Sequence, residues 1–296
     1  QNLEIANRLD NDYWRVLASI NIANTYHDLG EYALSIEYFQ SAIALTQRLD
    51  NAALEASAQS NVGLLYHDLG QFDAAIASFE RAIVLAKTSQ QLEVELIATG
   101  GLGLAYYDLD NLPAALAQMQ QFVQLTEAFG QPERIAEALY NLSYVQLQLG
   151  QYAEALDNAQ QAIDILVDTG EDARFEQGYA WHTLAEVYRR SGGDAALAFD
   201  AYGRSAAIFQ EIDNVYGEAW VMSNLGKLAS DQSDRDLAIV FLKASVNQRE
   251  TLRASIQTLD TTAQQSFVNT FAEDYRLLAD LLLEQDRILE AQQVLD

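Results

Sequence analysis

The sequence predicts an all-α fold, a solenoid of antiparallel helix hairpins stacked in series, and three observations carry that prediction. A block of sequence returns every 40 residues, the spacing of Asn21, Asn61, Gly101 and Asn141. Within each block, apolar residues recur at i, i+3, i+4 and i+7, the signature of a helix with one buried stripe. Each block is also divided near its middle by a turn residue, most often Gly.

Taken in order, NIANTYHDLGEYALSIEYFQSAIAL from Asn21 returns as NVGLLYHDLGQFDAAIASFERAIVL from Asn61, GLGLAYYDLDNLPAALAQMQQFVQL from Gly101 and NLSYVQLQLGQYAEALDNAQQAIDI from Asn141. Two weaker copies start at Thr183 and Asn224, at spacings of 42 and 41, the first with an extra residue in its turn at Gly192 and Gly193. In the first copy Ser19, Ile22, Ala23 and Tyr26 make the stripe of one helix, and Ile36, Phe39, Ala42 and Ile43 that of the next. Gly30, Gly70 and Gly150 end first helices, where a left-handed residue is cheapest, and Pro113 stands at the start of a second helix, where its missing N–H is harmless. Small residues such as Ala23, Gly63, Gly103 and Ser143, facing Ser35, Ala75, Ala115 and Ala155, let each hairpin close tightly. Tyr26, Tyr66, Tyr106 and Tyr188 fill the space between hairpins.

The order of small residue, Tyr, Gly, aromatic and Ala at these offsets resembles the tetratricopeptide repeat, over nearly the whole chain. The resemblance implies a right-handed α-α superhelix and a role in binding protein. The family's usual period is about 34 residues, so these hairpins resemble its longer-helix variety. Asp110 departs from the pattern in place of the turn Gly, and Gln146 and Ala229 in place of the inter-helix Tyr. Six full repeats are expected over 11–50, 51–90, 91–130, 131–171, 172–213 and 214–258. Residues 1–10 match the end of a second helix, and 259–296 read as a truncated seventh repeat with a long helix from about Thr262 to Gln285. The chain is therefore expected to be a fragment of a longer protein, whose exposed repeat ends could pair in a homodimer. The stretch TLRASIQTLDTTAQQSFVNTFAEDYRLLADLLLEQDRILEAQQVLD also resembles the segment joining such arrays to CHAT domains, the caspase-like proteases common in multicellular bacteria and cyanobacteria. That likeness implies an effector protease whose catalytic His and Cys have no counterpart in these residues.

Composition narrows the partners. With 43 acidic and 17 basic residues the net charge is −26, which repels phosphate backbones and anionic lipid surfaces and argues against nucleic acid and membrane. No apolar window is long enough to cross a bilayer and the first residues do not read as a signal peptide, so a cytoplasmic location is expected. The absence of cysteine removes disulfides, thiolate nucleophiles and Cys-type zinc sites. No phosphate loop, serine elbow or His-Glu zinc signature is present, so no catalysis and no cofactor are expected.

In such a stack the first helices line the concave face. Counting back from each turn, the groove residues most suited to a ligand are Asn21, Asn24 and His27, then Asn61 and His67, Tyr107, Tyr140, Asn141 and Tyr144, and finally His182, Arg189, Trp220, Asn224 and Lys227. Asn recurs at one offset at Asn21, Asn61, Asn141 and Asn224; an amide both donates and accepts, so a column of them suits the backbone of an extended peptide. A packing role within the stack is the alternative for the column. The aromatic residues are the expected anchors. Asp28, Asp68 and Asp108 against Arg189, Arg190 and Lys227 would orient a ligand with unlike ends. His27 and His67, each followed by Asp, do not predict a metal, because imidazoles on neighbouring helices about 8–10 Å apart would have to converge to about 2 Å from one ion. The sequence therefore predicts a binding module for a protein or extended peptide in the concave groove, with a receptor for a small signalling peptide, or a regulatory arm of a protease, as rivals.

Overall fold

The computed structural model describes residues 11–29, 31–255 and 261–295. Among the described residues it contains fourteen α-helices, one 3-10 turn and no strand. The remnant expected over 1–10, Gly30 and the side chain of Asp28 lie outside the described residues.

Residues 1–149 and 150–296 form two compact units, each described by itself. The first holds α1 (Asp12–Asp28), α2 (Tyr32–Arg48), α3 (Ala52–Asp68), α4 (Phe72–Ser89), α5 (Leu92–Asp108), α6 (Leu112–Phe129) and α7 (Pro132–Gln148). The second holds α8 (Tyr152–Thr169), α9 (Arg174–Arg190), α10 (Ala195–Glu211), α11 (Val215–Asp231), α12 (Arg235–Ser255), α13 (Thr261–Glu284) and α14 (Ile288–Leu295). Within each unit every helix packs on its neighbours in sequence, and alternate helices also touch, α1 with α3, α3 with α5 and α9 with α11.

Local chemistry sets the boundaries. The side chains of Asn11, Asn51, Asn111 and Asn214 accept from the backbone N–H of Trp14, Leu54, Ala114 and Gly217, capping α1, α3, α6 and α11. Asp110 takes over from the turn glycine without loss of geometry: its φ is 57°, beside 69° for Gly70 and 73° for Gly150, and Asp tolerates that left-handed region better than most residues. The extra residue near Gly192 lies in the four-residue connection between α9 and α10. The two residues by which the spacing into the fifth copy exceeds 40, which the sequence leaves unlocated, are taken up by the 3-10 turn Gly170–Ala173 between α8 and α9.

The core is a run of small residues against large ones. A Cβ on Gly63 would stand 2.7 Å from the Phe79 ring and one on Gly101 2.4 Å from the same ring, so two successive hairpins close on one buried phenylalanine. Gly178 and Gly217 enclose Phe209 in the same way in the second unit. Tyr26 stacks on Tyr38 at the edge of this packing with ring centroids 5.6 Å apart.

Candidate functional site

In the first unit the side chains at the groove offsets remain accessible. Asn21 is exposed, and Asn24, His27, Asn61, His67, Tyr107, Tyr140, Asn141 and Tyr144 are half-buried. Asn61 donates from Nδ2 to the Ser57 carbonyl of its own helix at 3.0 Å, and its Oδ1 is an acceptor that this bond does not use. Tyr107 and Tyr144 meet edge to face with centroids 5.9 Å apart. Apolar Leu64, Ile97 and Leu104, none of them buried, share this face with the amides.

Turn-proximal positions do something else: they link successive first helices. His27 Nε2 lies 2.8 Å from Asp68 Oδ2, and His67 Nε2 lies 2.7 Å from Asp108 Oδ2. One repeat on, Gln148 Nε2 donates to the Tyr107 hydroxyl at 2.8 Å. In the second unit Arg189 Nη1 reaches Asp231 Oδ2 at 3.2 Å between the same two repeat positions. Different residue pairs thus make one rung. Hydrogen bonds donated to the Asp108 and Asp68 carboxylates raise the His67 pKa to about 9, against the effect of its partial burial. Burial works against the Asp68 carboxylate, but the hydrogen bonds from His27 and His67 outweigh it and hold the group at about 2. At neutral pH the first unit therefore carries a cationic imidazole between two carboxylates.

In the second unit the candidate groove residues pair with other parts of their own chain. His182 is 0% exposed and Asn224 8%, and Asn224 Nδ2 lies 2.8 Å from His182 Nε2. The Trp220 indole stacks on the His182 ring at 3.4 Å between centroids. Trp220 of α11 thus covers the His182 ring of α9. Desolvation lowers the His182 pKa to about 4, so the ring is neutral. Arg189 grips Glu186 in a two-pronged pair, Nε to Oε1 at 3.2 Å and Nη2 to Oε2 at 3.0 Å, while the buried Tyr202 hydroxyl also donates to Glu186. Lys227 pairs with the buried Asp274 of α13 at 2.9 Å, and Arg249 of α12 bonds the same carboxylate. Arg189 and Lys227, expected to meet a ligand's acidic end, are thus held by internal carboxylates. The sequence missed this network; its one legible sign is Glu186 three residues before Arg189, a spacing that brings side chains together on a helix.

Among the described residues no group of three or more His, Asp and Glu side chains is arranged to hold a metal ion, and no helix is long and apolar enough to cross a membrane. No catalytic domain is evident.

Paired helices, alternating small and large core residues and an inter-hairpin ladder define a helical-repeat interaction scaffold. The tetratricopeptide repeat family model matches residues 15–88, 94–166 and 176–251, and the chain belongs to that family. No curated protein matches the chain. Among solved structures it is similar to the apo form of RapI, with 13% identity, 94% of each chain covered and a TM-score of 0.67. It is also similar to a signal transduction ATPase with numerous domains from Pyrococcus horikoshii, which bears a tetratricopeptide repeat sensor, with 16% identity, 97% of this chain and 44% of that one covered and a TM-score of 0.66. A Rap protein complexed with Competence and Sporulation Factor shares 16% identity over 95% of this chain and 76% of its own, with a TM-score of 0.60. At these identities the likeness is one of fold, an α solenoid.

Proposed function

We propose that the chain is a recognition module whose first unit holds an extended peptide or protein segment on the face of α1, α3, α5 and α7. The observation that carries this is a contrast at two repeat positions: Asn21, Asn61 and Asn141 stand accessible where Asn224 is buried against His182, and Asn24 and Tyr144 stand accessible where Lys227 is tied to Asp274. On this reading Asn21, Asn61 and Asn141 bond the ligand backbone, Tyr107, Tyr140 and Tyr144 supply apolar contact, and Asn24, His27 and His67 border the site. His182, Arg189, Trp220, Asn224 and Lys227 then hold the second unit together instead of touching the ligand. The bound partner is delivered to an attached effector, and the likeness around residues 251–296 makes a CHAT caspase-like protease the effector we favour. The repeat sensor of the ATPase neighbour and the complexed state of the Rap neighbour give precedent for this use of the fold. The rival reading, a receptor for a small signalling peptide, uses the same face.

A photo-crosslinking side chain at Tyr144 tests the face, with one at Val84 as control; Val84 is 58% exposed on the second helix α4. Capture of a peptide or protein from Tyr144 and not from Val84 is expected. Equal capture from both, or capture from Val84 alone, would remove the assignment. The size of the captured species separates a protein partner from a signalling peptide.

A further inference from the structure

In the second unit, a cleft of about 460 Å³ lies between α8, α9 and α10 beside the 3-10 turn that lengthens the fifth copy. Its floor is apolar, with Ile163, Leu166 and Ile208, and Val167 at its lip is 65% exposed. Arg174 and Arg204 stand at its rim, in a chain with only 17 basic residues against 43 acidic.

The second copy serves as an internal control, because the repeat fixes which residues are equivalent. In the second copy Arg81 donates through Nε and Nη2 to the buried Glu55 at 3.1 and 3.0 Å. Arg204 occupies the position of Arg81 in the fifth copy, but Gln177 occupies that of Glu55. The buried carboxylate is gone. Gln177 donates from Nε2 to the carbonyls of Leu166 and Gly170, at 2.8 and 3.1 Å, and fixes the turn. Its Oε1 accepts from Arg174 Nη1 at 3.0 Å and so aims that guanidinium.

Among the described residues neither arginine has a strong internal partner. Arg204 bonds Asp200 one helical turn away in a pair more than half exposed, a type that contributes little, and its guanidinium lies 4.7 Å over the Trp181 ring. Arg174 Nε is buried with no hydrogen bond among the described residues, and the carboxylate of the exposed Glu211 is 3.6 Å from it. Trp181 is also peculiar to this copy: the same repeat position holds Ser19, Gln59, Thr99, Leu139 and Met222 elsewhere. An insertion, a lost buried carboxylate and an added tryptophan therefore converge on one cleft.

We propose that this cleft is a second docking site, for an acidic segment of a partner protein that places an apolar side chain on Ile163, Leu166 and Ile208 and an adjacent carboxylate on Arg174 and Arg204. The planar guanidinium fork suits a carboxylate, and the partner's carboxylate replaces the exposed Asp200 and Glu211. The site is independent of the amide column of the first unit.

The test uses the full chain and a display library of short random peptides. Enriched peptides are then titrated against the unaltered chain, the double variant Arg174→Gln with Arg204→Gln, and Ala207→Phe, which fills the cleft from the exposed side of α10 without touching either arginine. The proposal expects peptides that pair an apolar residue with a neighbouring Asp or Glu, and a loss of about ten-fold or more in each variant with melting unchanged. Should the arginine pair alone lower melting, Ala207→Phe decides. Basic or neutral peptides overturn the proposal, as does binding indifferent to both variants, or displacement of every peptide by decanoate at equal concentration, which would mark a fatty-acid site. Peptides lost only on Asn61→Ala with Asn141→Ala count against this cleft while supporting the first unit's face.

Discussion

His67 Nε2 and Asp108 Oδ2 lie 2.7 Å apart across two successive first helices, and His27 makes the same bond to Asp68 one repeat earlier at 2.8 Å. The two rungs share a chain of charge, since Asp68 Oδ1 is also 3.7 Å from His67 Nδ1. The pairing of imidazole and carboxylate makes the first unit's stability depend on pH at both ends.

His67 is raised from 6.5 to about 9 in the folded chain, so its contribution is fully present below about pH 6.5 and is lost as pH rises through about 9. Asp68 is lowered from 3.8 to about 2, so its contribution is present above pH 3.8 and is lost as pH falls toward 2. Chemical unfolding of the first unit should weaken by about 1–2 kcal/mol between pH 6.5 and 9, less than the full shift implies because Asp68 is half exposed. His67→Gln should flatten that alkaline slope. A variant with the slope intact would show that the rung contributes nothing.

Replacing Asn61 and Asn141 together by Ala should leave melting almost unchanged, since both side chains are accessible and Asn61 bonds only a carbonyl of its own helix. If both amides bond a ligand backbone at about 0.5–1.5 kcal/mol each, affinity for the partner falls by roughly ten-fold or more. Titration of the captured partner against the double variant, with melting alongside, reads both quantities. Normal binding by a folded double variant would end the case for the amide column.

Asn224 occupies the same repeat position as those amides but answers to a different prediction. Asn224→Ala strands the buried Nε2 of His182, whose Nδ1 already lacks a partner among the described residues, and should lower the unfolding free energy by about 1–3 kcal/mol. Asn21→Ala, at an exposed site, should cost under about 0.5 kcal/mol. Equal costs at the two sites would mean that the buried pair is not worth what its geometry implies.

That divergence marks how far the sequence could be read. The fold was legible because the 40-residue period, the turn residues and the apolar stripes are local and repeat in register. Which offsets turn toward the first-helix face was legible for the same reason. Which of those offsets stay open was not, because closure depends on side chains distant in sequence: His182 against Asn224, or Asp274 reaching back to Lys227. The rungs were nearly readable. His27, His67 and Arg189 each precede an Asp one repeat and one residue later, a pattern visible once helix-to-helix neighbours, and not only helix faces, are compared. The place of the lengthened connection was not readable, since a spacing of 42 does not say where along the hairpin the chain grows.

Lys227 separates the two roles most sharply, because the sequence reads it as a ligand cation and the structure gives it to Asp274. Asp274 is 3% exposed and lies between Lys227, at 2.9 Å, and Arg249, which also covers the Phe271 ring. Burial disfavours the Asp274 carboxylate, but the charges of Lys227 and Arg249 outweigh it and hold the group below its ordinary value. Its stabilising effect is therefore present above about pH 3.8 and is lost as pH falls through the lowered value. Lys227→Met keeps the aliphatic stem and removes one of two cations, so denaturant unfolding of the second unit should weaken by about 1–3 kcal/mol at neutral pH. The acid midpoint should move upward at the same time, because Asp274 then protonates more readily. Affinity for a partner captured on the first unit should stay the same. Should Lys227→Met instead leave both unfolding and the acid midpoint alone while weakening partner binding, the lysine faces the ligand after all, and the second unit would have to be counted as part of the binding face.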